Sequence, residues 1–305
     1  MGIDRHFADF LLCARDSGSG IDFRRVATLG RLNLFIDHRS LGAVFHEHGI
    51  AVTDRDIDAM RSASGGYSDE FLRRLGAQEI ASIDASEYEG ASLVHDMNQP
   101  IGAEHKGKFS IVIDGGTLEH IFNFPTAIRN CMEMLEVGGH FFAQTMANNF
   151  MGHGFYQFSP ELFYRVFSPE NGFRVHRAVL FESRIGRPTW YEAADPKDIG
   201  ERVELINGRQ TYLMLHAERV ADVPIFATPP QQADYSALWS KNQPARFATR
   251  GLRGSIHQWA KSHNDFFLQY SPGFLYDLAL ATLVRGLPRR GFRRRFYEPL
   301  RTLKR

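Results

Sequence analysis

The stretch MGHGFYQFSPELF, Met151 to Phe163, sets a histidine between two glycines and follows it with four aromatics. Gly152 and Gly154 let the chain turn sharply and leave the imidazole of His153 reachable. A histidine there could accept a proton near neutral pH. Phe155, Tyr156 and Phe158 could exclude water around it. A second set of candidates is carboxylates at the ends of apolar runs. EIASIDAS (79–86), SLVHDMNQP (92–100) and FSIVIDGG (109–116) each place an acid, Asp84, Asp96 or Asp114, as the first charge after buried residues. A carboxylate so placed accepts two hydrogen bonds from ribose hydroxyls or one from an exocyclic amine. Either acid alone would simply cap a following helix, whereas two on consecutive strands point to a nucleoside.

Other chemistry finds little support. No GxGxxG occurs, and GAEHKGKF (102–109) ends in Phe109 where a phosphate loop needs Ser or Thr, ahead of a strand instead of after one. HEH at 46–48 offers two histidines that point apart on a helix, so a solvated helix end is expected and no metal site. Glu87 and Glu89 read as a turn that carries Tyr88 over a ligand.

The elements that must position these residues follow from periodicity. Apolar residues at 7, 10, 11 and 14 predict a helix over 4–15, RRVATLGRLNLF (24–35) a strand with the single glycine Gly30, and SDEFLRRLGA (68–77) a short helix with Ser68 as N-cap and Gly76 at its end. The three acid-terminated runs are short, rich in Ile and Val and bounded by turn formers, as strands buried on both faces are. Thr117 to Val137 reads as a helix broken or restarted at Pro125 and closed by Gly138-Gly139. HFFAQTMAN (140–148) is a strand, SPELFYRVF (159–167) a helix with Ser159 as N-cap, and FRVHRAVLFES and TYLMLHAERV are two closing strands. This alternation predicts an α/β fold: a doubly wound, mostly parallel seven-stranded sheet with an antiparallel closing strand and a C-terminal helical extension. In such a sheet ligands bind beyond the carboxyl ends of the strands, which brings LGR (29–31), DAS (84–86), HDMN (95–98) and DGGTLEH (114–120) to one rim.

At these residues the chain resembles the class I S-adenosylmethionine-dependent methyltransferases, over roughly residues 24–220. The most specific part is FSIVIDGGTLEHIFNFPTAIRNCMEMLEVGGHFFAQT (109–145), which is similar to that family's fourth strand, Leu-Glu-His segment, helix, Gly-Gly turn and fifth strand. The resemblance implies S-adenosyl-L-methionine as cofactor. It gives Asp84, with Ala85 beside it, to the ribose, and Asp96 to the adenine with Met97 against the ring. Gly30, Arg31, Asp114, Gly115 and Gly116 then line the rest of the cofactor site. It also implies a proton acceptor for methyl transfer to an oxygen: His153 first, then His120 and Tyr156. The departure lies in the first loop, TLGRLNLF, with one glycine where the family has two or three. Arg31 is then turned aside or reaches the methionine carboxylate, or the pocket has decayed. The interval from Val26 to Glu79 is also longer than usual. The implied activity is O-methylation of a sugar, glycan precursor or other small polar acceptor; the alternative is an inactive relative serving as a binding or scaffolding protein.

Composition bounds the rest. At 305 residues and 43% hydrophobic the chain can bury a large core. Two cysteines, Cys13 and Cys131, suit a reducing compartment, and a cytoplasmic location follows as the expectation. The first ten residues lack the pattern of a signal peptide, and no apolar run approaches the roughly 20 residues of a spanning helix. The domain reading is 1–225 for the catalytic unit and 226–305 for a linker and basic helical extension. Residues 285–305 carry +8 of a net +1, leaving the remainder near −7. With Phe266, Phe267, Tyr270, Phe274 and Tyr276 close by, the tail suggests peripheral contact with an anionic membrane or a partner. The acidic remainder argues against nucleic acid.

Overall fold

A computed structural model describes residues 2–18, 20–62, 65–183, 189–200, 202–233, 291–300 and 303. The basic tail and the aromatics preceding it therefore lie mostly outside the described residues. The chain divides into two compact units, one of Met1–Glu192, Arg209–Pro230 and Pro299–Arg305, the other of Ala193–Gly208 and Gln231–Glu298.

The first unit runs β1 (Gly2–Asp4), α1 (Arg5–Asp16), β2 (Arg25–Leu29), β3 (Asn33–Phe35), α2 (His38–Glu47), α3 (Asp54–Ser62), α4 (Asp69–Leu75), β4 (Glu79–Asp84), β5 (Leu93–Val94), β6 (Phe109–Asp114), α5 (Phe124–Met134), β7 (Leu135–Asn148), α6 (Pro160–Val166), β8 (Phe173–Glu182), β9 (Trp190–Ala193, its last residue in the second unit) and β10 (Thr211–Arg219). Its strands β2 and β4 to β10 lie in one sheet, in the order β9-β8-β10-β7-β6-β2-β4-β5. From β5 to β7 the pairing is parallel. β10 runs antiparallel between β7 and β8, which supplies the expected antiparallel strand. β9 adds an antiparallel strand beside β8 that the sequence did not announce. Strand order reverses at β2, whose neighbours are β4 and β6, so the switch point lies between these two.

Alternation along β7 divides the core. Phe142 turns to the face of α1, with Phe10 and Phe23 at centroid distances of 6.3 and 6.2 Å, while Phe141 stacks on Phe167 at 4.9 Å, just after α6. Each of these buried rings contributes about 1.5–3 kcal/mol of transfer free energy. In the second unit, Asp195 caps α7 (Pro196–Ile199) by accepting from Lys197 N at 2.8 Å, and Arg293 lies 3.6 Å from Glu204.

Several elements differ from expectation for identifiable reasons. The helix expected from residue 4 begins at Arg5, because Asp4 is its N-cap and accepts from Phe7 N at 2.9 Å. The short strand expected within 24–35 is β2, which ends just before Gly30, whose φ is +68°, and β3 follows as an unexpected second strand. The expected helix over 117–137 is a 3-10 turn at Leu118–His120 followed by α5, with Pro125 in its first turn. Gly138-Gly139 does not close that helix but lies within β7, where a Cβ on Gly139 would stand 3.1 Å from the carbonyl oxygens of Phe109 and Ser110. Ser68 and Ser159 stand at N-cap positions without a side-chain cap hydrogen bond. His48 is not at a solvated helix end: its side chain is fully buried, with Nε2 at 2.7 Å from Asp9 Oδ1 and Nδ1 at 2.7 Å from Asp16 Oδ2. Asp9 and Asp16 lie two turns apart on one face of α1, and the imidazole between them ties α1 to the end of α2. Among the described residues no helix is long and apolar enough to cross a membrane.

Candidate active site

The carboxyl ends of β6 and β7 bring the Leu-Glu-His segment and the glycine-histidine loop together. After β7 the chain folds back, with Phe158 N donating to Met146 O at 2.8 Å, and Phe155 N donating to Glu119 O at 2.7 Å. Gly154, at φ +73°, permits this: a Cβ there would meet Glu119 O at 2.7 Å. His153 is thereby carried over Glu119, its Nε2 4.0 Å from Glu119 Oε1, and its ring centroid lies 5.0 Å from that of His120. Both imidazoles are exposed. Tyr156 is half-buried and its hydroxyl donates to Phe122 O at 2.7 Å, so the phenol holds the two loops together. Phe158 is buried beneath, whereas Phe122 (72% exposed), Phe155 (67%) and Met151 (94%) form an apolar rim beside the histidines. Phe122 and Phe155 meet edge to face at 5.8 Å.

Below this rim lie two buried acids: Asp114, expected from the sequence to line the cofactor site, and Glu119, assigned no role from the sequence. Glu119 is fully buried; Thr145 Oγ1 donates to its Oε2 at 2.9 Å, while Oε1 has no hydrogen-bond partner. Asp114 is equally buried, accepting from Thr117 N at 2.8 Å on Oδ1 and leaving Oδ2 unpartnered. Burial first, and the neighbouring Glu119 second, push the Asp114 carboxyl up to about 8; burial also raises Glu119. Burial lowers His120. Glu119, His120 and His153 could each bring one ligand atom within 4.8 Å of the others.

The nucleoside candidates occupy the neighbouring tips. Asp84 ends β4, half-buried, with Oδ1 accepting from Ser86 N at 3.1 Å; Ala85 beside it is exposed. Asp96 lies two residues beyond β5, exposed, accepting from Asn98 N at 2.9 Å and Nδ2 at 2.8 Å, which hold it below the usual carboxylate range. The two loops are coupled through His95 N, which donates to Asp84 O at 2.8 Å. Met97 is buried under this rim, with Asn130 Nδ2 3.8 Å from its sulfur. Arg31 is turned aside, its guanidinium 4.2 Å over the Tyr67 ring and its Nε 3.5 Å from Asp69. Tyr88 is 90% exposed.

Whether S-adenosylmethionine fits divides along the molecule. Asp84 and Asp96, expected to meet its nucleoside half, have side-chain hydrogen bonds within their own loops, to Ser86 N and to Asn98 N and Nδ2. The methionine half would lie against Gly30 and Gly115. There a Cβ on Gly115 would meet Leu32 Cδ2 at 2.8 Å and the Gly2 backbone O and N at 3.1 and 3.2 Å. Gly2 N also donates to Gly115 O at 3.0 Å. Leu32 and the Gly2 backbone thus occupy the space beside Gly115. A separate cavity of about 460 Å³, lined among others by Lys106, Glu136 and Arg219, lies near the amino end of β7 and contains none of these residues.

No family model matches the chain, and no curated protein matches it. Among solved structures it is similar to the 1,6-didemethyltoxoflavin-N1-methyltransferase of Burkholderia thailandensis bound to S-adenosylhomocysteine, at 12% identity over 68% of this chain and 79% of that one, with a TM-score of 0.35. It is also similar to the 16S rRNA (adenine(1408)-N(1))-methyltransferase of Catenulisporales acidiphilia, at 8% identity over 70% and 93% of the two chains and a TM-score of 0.36. A third is the branched-chain polyamine synthase of Thermus thermophilus in complex with 5'-methylthioadenosine, at 14% identity over 73% and 60% and a TM-score of 0.33. Likeness at this level carries no argument about activity.

Proposed function

We propose that this chain is an S-adenosylmethionine-dependent methyltransferase acting on an oxygen of a sugar, glycan precursor or other small polar acceptor. The observation that carries the reading is the pair of acids, Asp84 and Asp96, that follow the carboxyl ends of the paired strands β4 and β5, on the side of the sheet that starts from β2. Asp84 and Asp96 would hold the nucleoside, and Gly30, Gly115 and Gly116 would offer backbone to the remainder. The cofactor, when bound, supplies an electrophilic methyl group. His153 takes the proton from the acceptor hydroxyl: with Nε2 facing Glu119, Nδ1 is left for the acceptor. Phe122 and Phe155 give the non-polar face of an acceptor ring a surface beside that nitrogen and limit water.

One observation favours a second reading, a non-catalytic binding protein on the same fold: the backbone of Gly2 and the side chain of Leu32 already stand over Gly115. Titration calorimetry separates the two. Micromolar binding of S-adenosylmethionine and S-adenosylhomocysteine, weakened at least tenfold by Asp96→Ala and by Asp84→Ala, supports the enzyme. No heat at millimolar ligand leaves the binding protein.

A further inference from the structure

We propose that His140, His176 and His216 form a zinc site on the sheet face, away from the candidate active site. The three residues are far apart in sequence and are assembled by strand register. Glu218 of β10 pairs with His140 of β7, and His216 lies two residues earlier on β10, so His140, His216 and Glu218 share one face. β8 delivers the third imidazole through a bulge: Ala217 pairs with Val175 but His216 with Arg177, which sets His176 and Arg177 together against His216. The His176 ring consequently stacks on His216 with centroids 4.6 Å apart and planes at 17°.

The nitrogens already converge. His216 Nε2 and His140 Nδ1 are 3.0 Å apart, and one ring nitrogen from each of the three histidines falls within 4.8 Å of the others. Tetrahedral zinc with bonds of about 2.0–2.1 Å sets its ligand nitrogens about 3.3 Å apart. The site therefore needs a small opening of the His140–His216 pair and a rotation of the His176 ring out of its stack on His216, because an imidazole binds a metal in its own ring plane. Both His140 and His216 are buried, so the imidazoles form part of a sheet-held frame instead of a mobile surface group. Glu218 meets His176 Nε2 at 2.8 Å and Arg174 at 2.6 Å, placing a carboxylate where metal-bound histidines keep an orienting partner. Three neutral nitrogens with a nearby carboxylate suit zinc among common divalent ions, and disfavour calcium and magnesium, which take oxygen.

Two other clusters were weighed against it. Asp9, Cys13 and His48 also gather ligand atoms, but both nitrogens of His48 are engaged by Asp9 and Asp16. Glu119, His120 and His153 belong to the candidate active site. The test uses the full-length protein stripped with chelator and titrated with zinc chloride, with metal content after dialysis measured by mass spectrometry. One equivalent of zinc is expected, with affinity lowered at least 100-fold in His176→Gln and in His140→Gln and unchanged in His153→Gln. Circular dichroism checks that each variant folds. X-ray absorption of the zinc-loaded wild-type protein gives an independent readout, with three imidazoles expected. Absence of stoichiometric zinc, retention of zinc in both cluster variants, loss of zinc in His153→Gln alone, or a ligand shell with fewer than three imidazoles would each overturn the proposal.

Discussion

His153 is positioned by backbone and faced by a buried acid. Its neighbour Glu119 has one unpartnered oxygen 4.0 Å from Nε2, within ion-pair range but longer than a hydrogen bond. His153→Ala should lower the rate of methyl transfer by about 10²–10⁴-fold while leaving cofactor affinity by calorimetry within about twofold. Tyr156→Phe should act differently, because its hydroxyl is used on Phe122 O: about 1 kcal/mol of stability lost in a urea titration, with a smaller effect on rate. An equal loss of cofactor binding and rate in His153→Ala would move that residue from proton transfer to folding. His153 was legible because flanking glycines announce an exposed turn. Glu119 was not, since an acid between Leu118 and His120 reads as surface until the 3-10 turn and the returning loop cover it.

At the scale of elements, the loop after β7 depends on Gly154. Gly154→Ala places a methyl 2.7 Å from Glu119 O at φ +73°, so about 1–3 kcal/mol of destabilisation is expected, read as a lower urea midpoint. Activity should fall with it, because the Phe155 N to Glu119 O bond that seats His153 must lengthen. The strands β4, β6, β8 and β10 were legible from their apolar, turn-bounded runs; β6 and β10 are buried on nearly all positions, and β4 and β8 toward their carboxyl ends. β1 and β9 were not, being a few residues long with no pattern of their own. The extension of β7 back through Gly138-Gly139 was hidden because a glycine pair normally marks a helix end. Only after the neighbouring carbonyls of Phe109 and Ser110 are in place does the need for a residue without a side chain become visible.

For the whole molecule, the alternation of strands and helices made the doubly wound sheet legible, whereas contacts between distant strands did not announce themselves. The coupled pair Asp114 and Glu119 is one such product of the assembled sheet, and it makes stability depend on pH. Asp114 rises to about 8 in the folded chain, against about 3.9 for an unfolded aspartate. Between those values the folded state holds a proton that the unfolded state has released, so unfolding is favoured as pH climbs, and the cost levels off above about 8. His140 and His216 act in the opposite sense below about 6.5, because burial holds them down to about 4 and about 2, and unfolding lets them bind protons. Comparison of the wild-type protein with Asp114→Asn cancels the histidines. The asparagine keeps an oxygen for Thr117 N and replaces a carboxyl that must stay protonated by a neutral amide. The Tm advantage of the variant should therefore grow by about 3–5 °C per pH unit from pH 5 to 8 and then flatten. Scanning calorimetry across that range decides it: parallel profiles for the two proteins would mean that Asp114 is ionised in the folded chain as it is in the unfolded one.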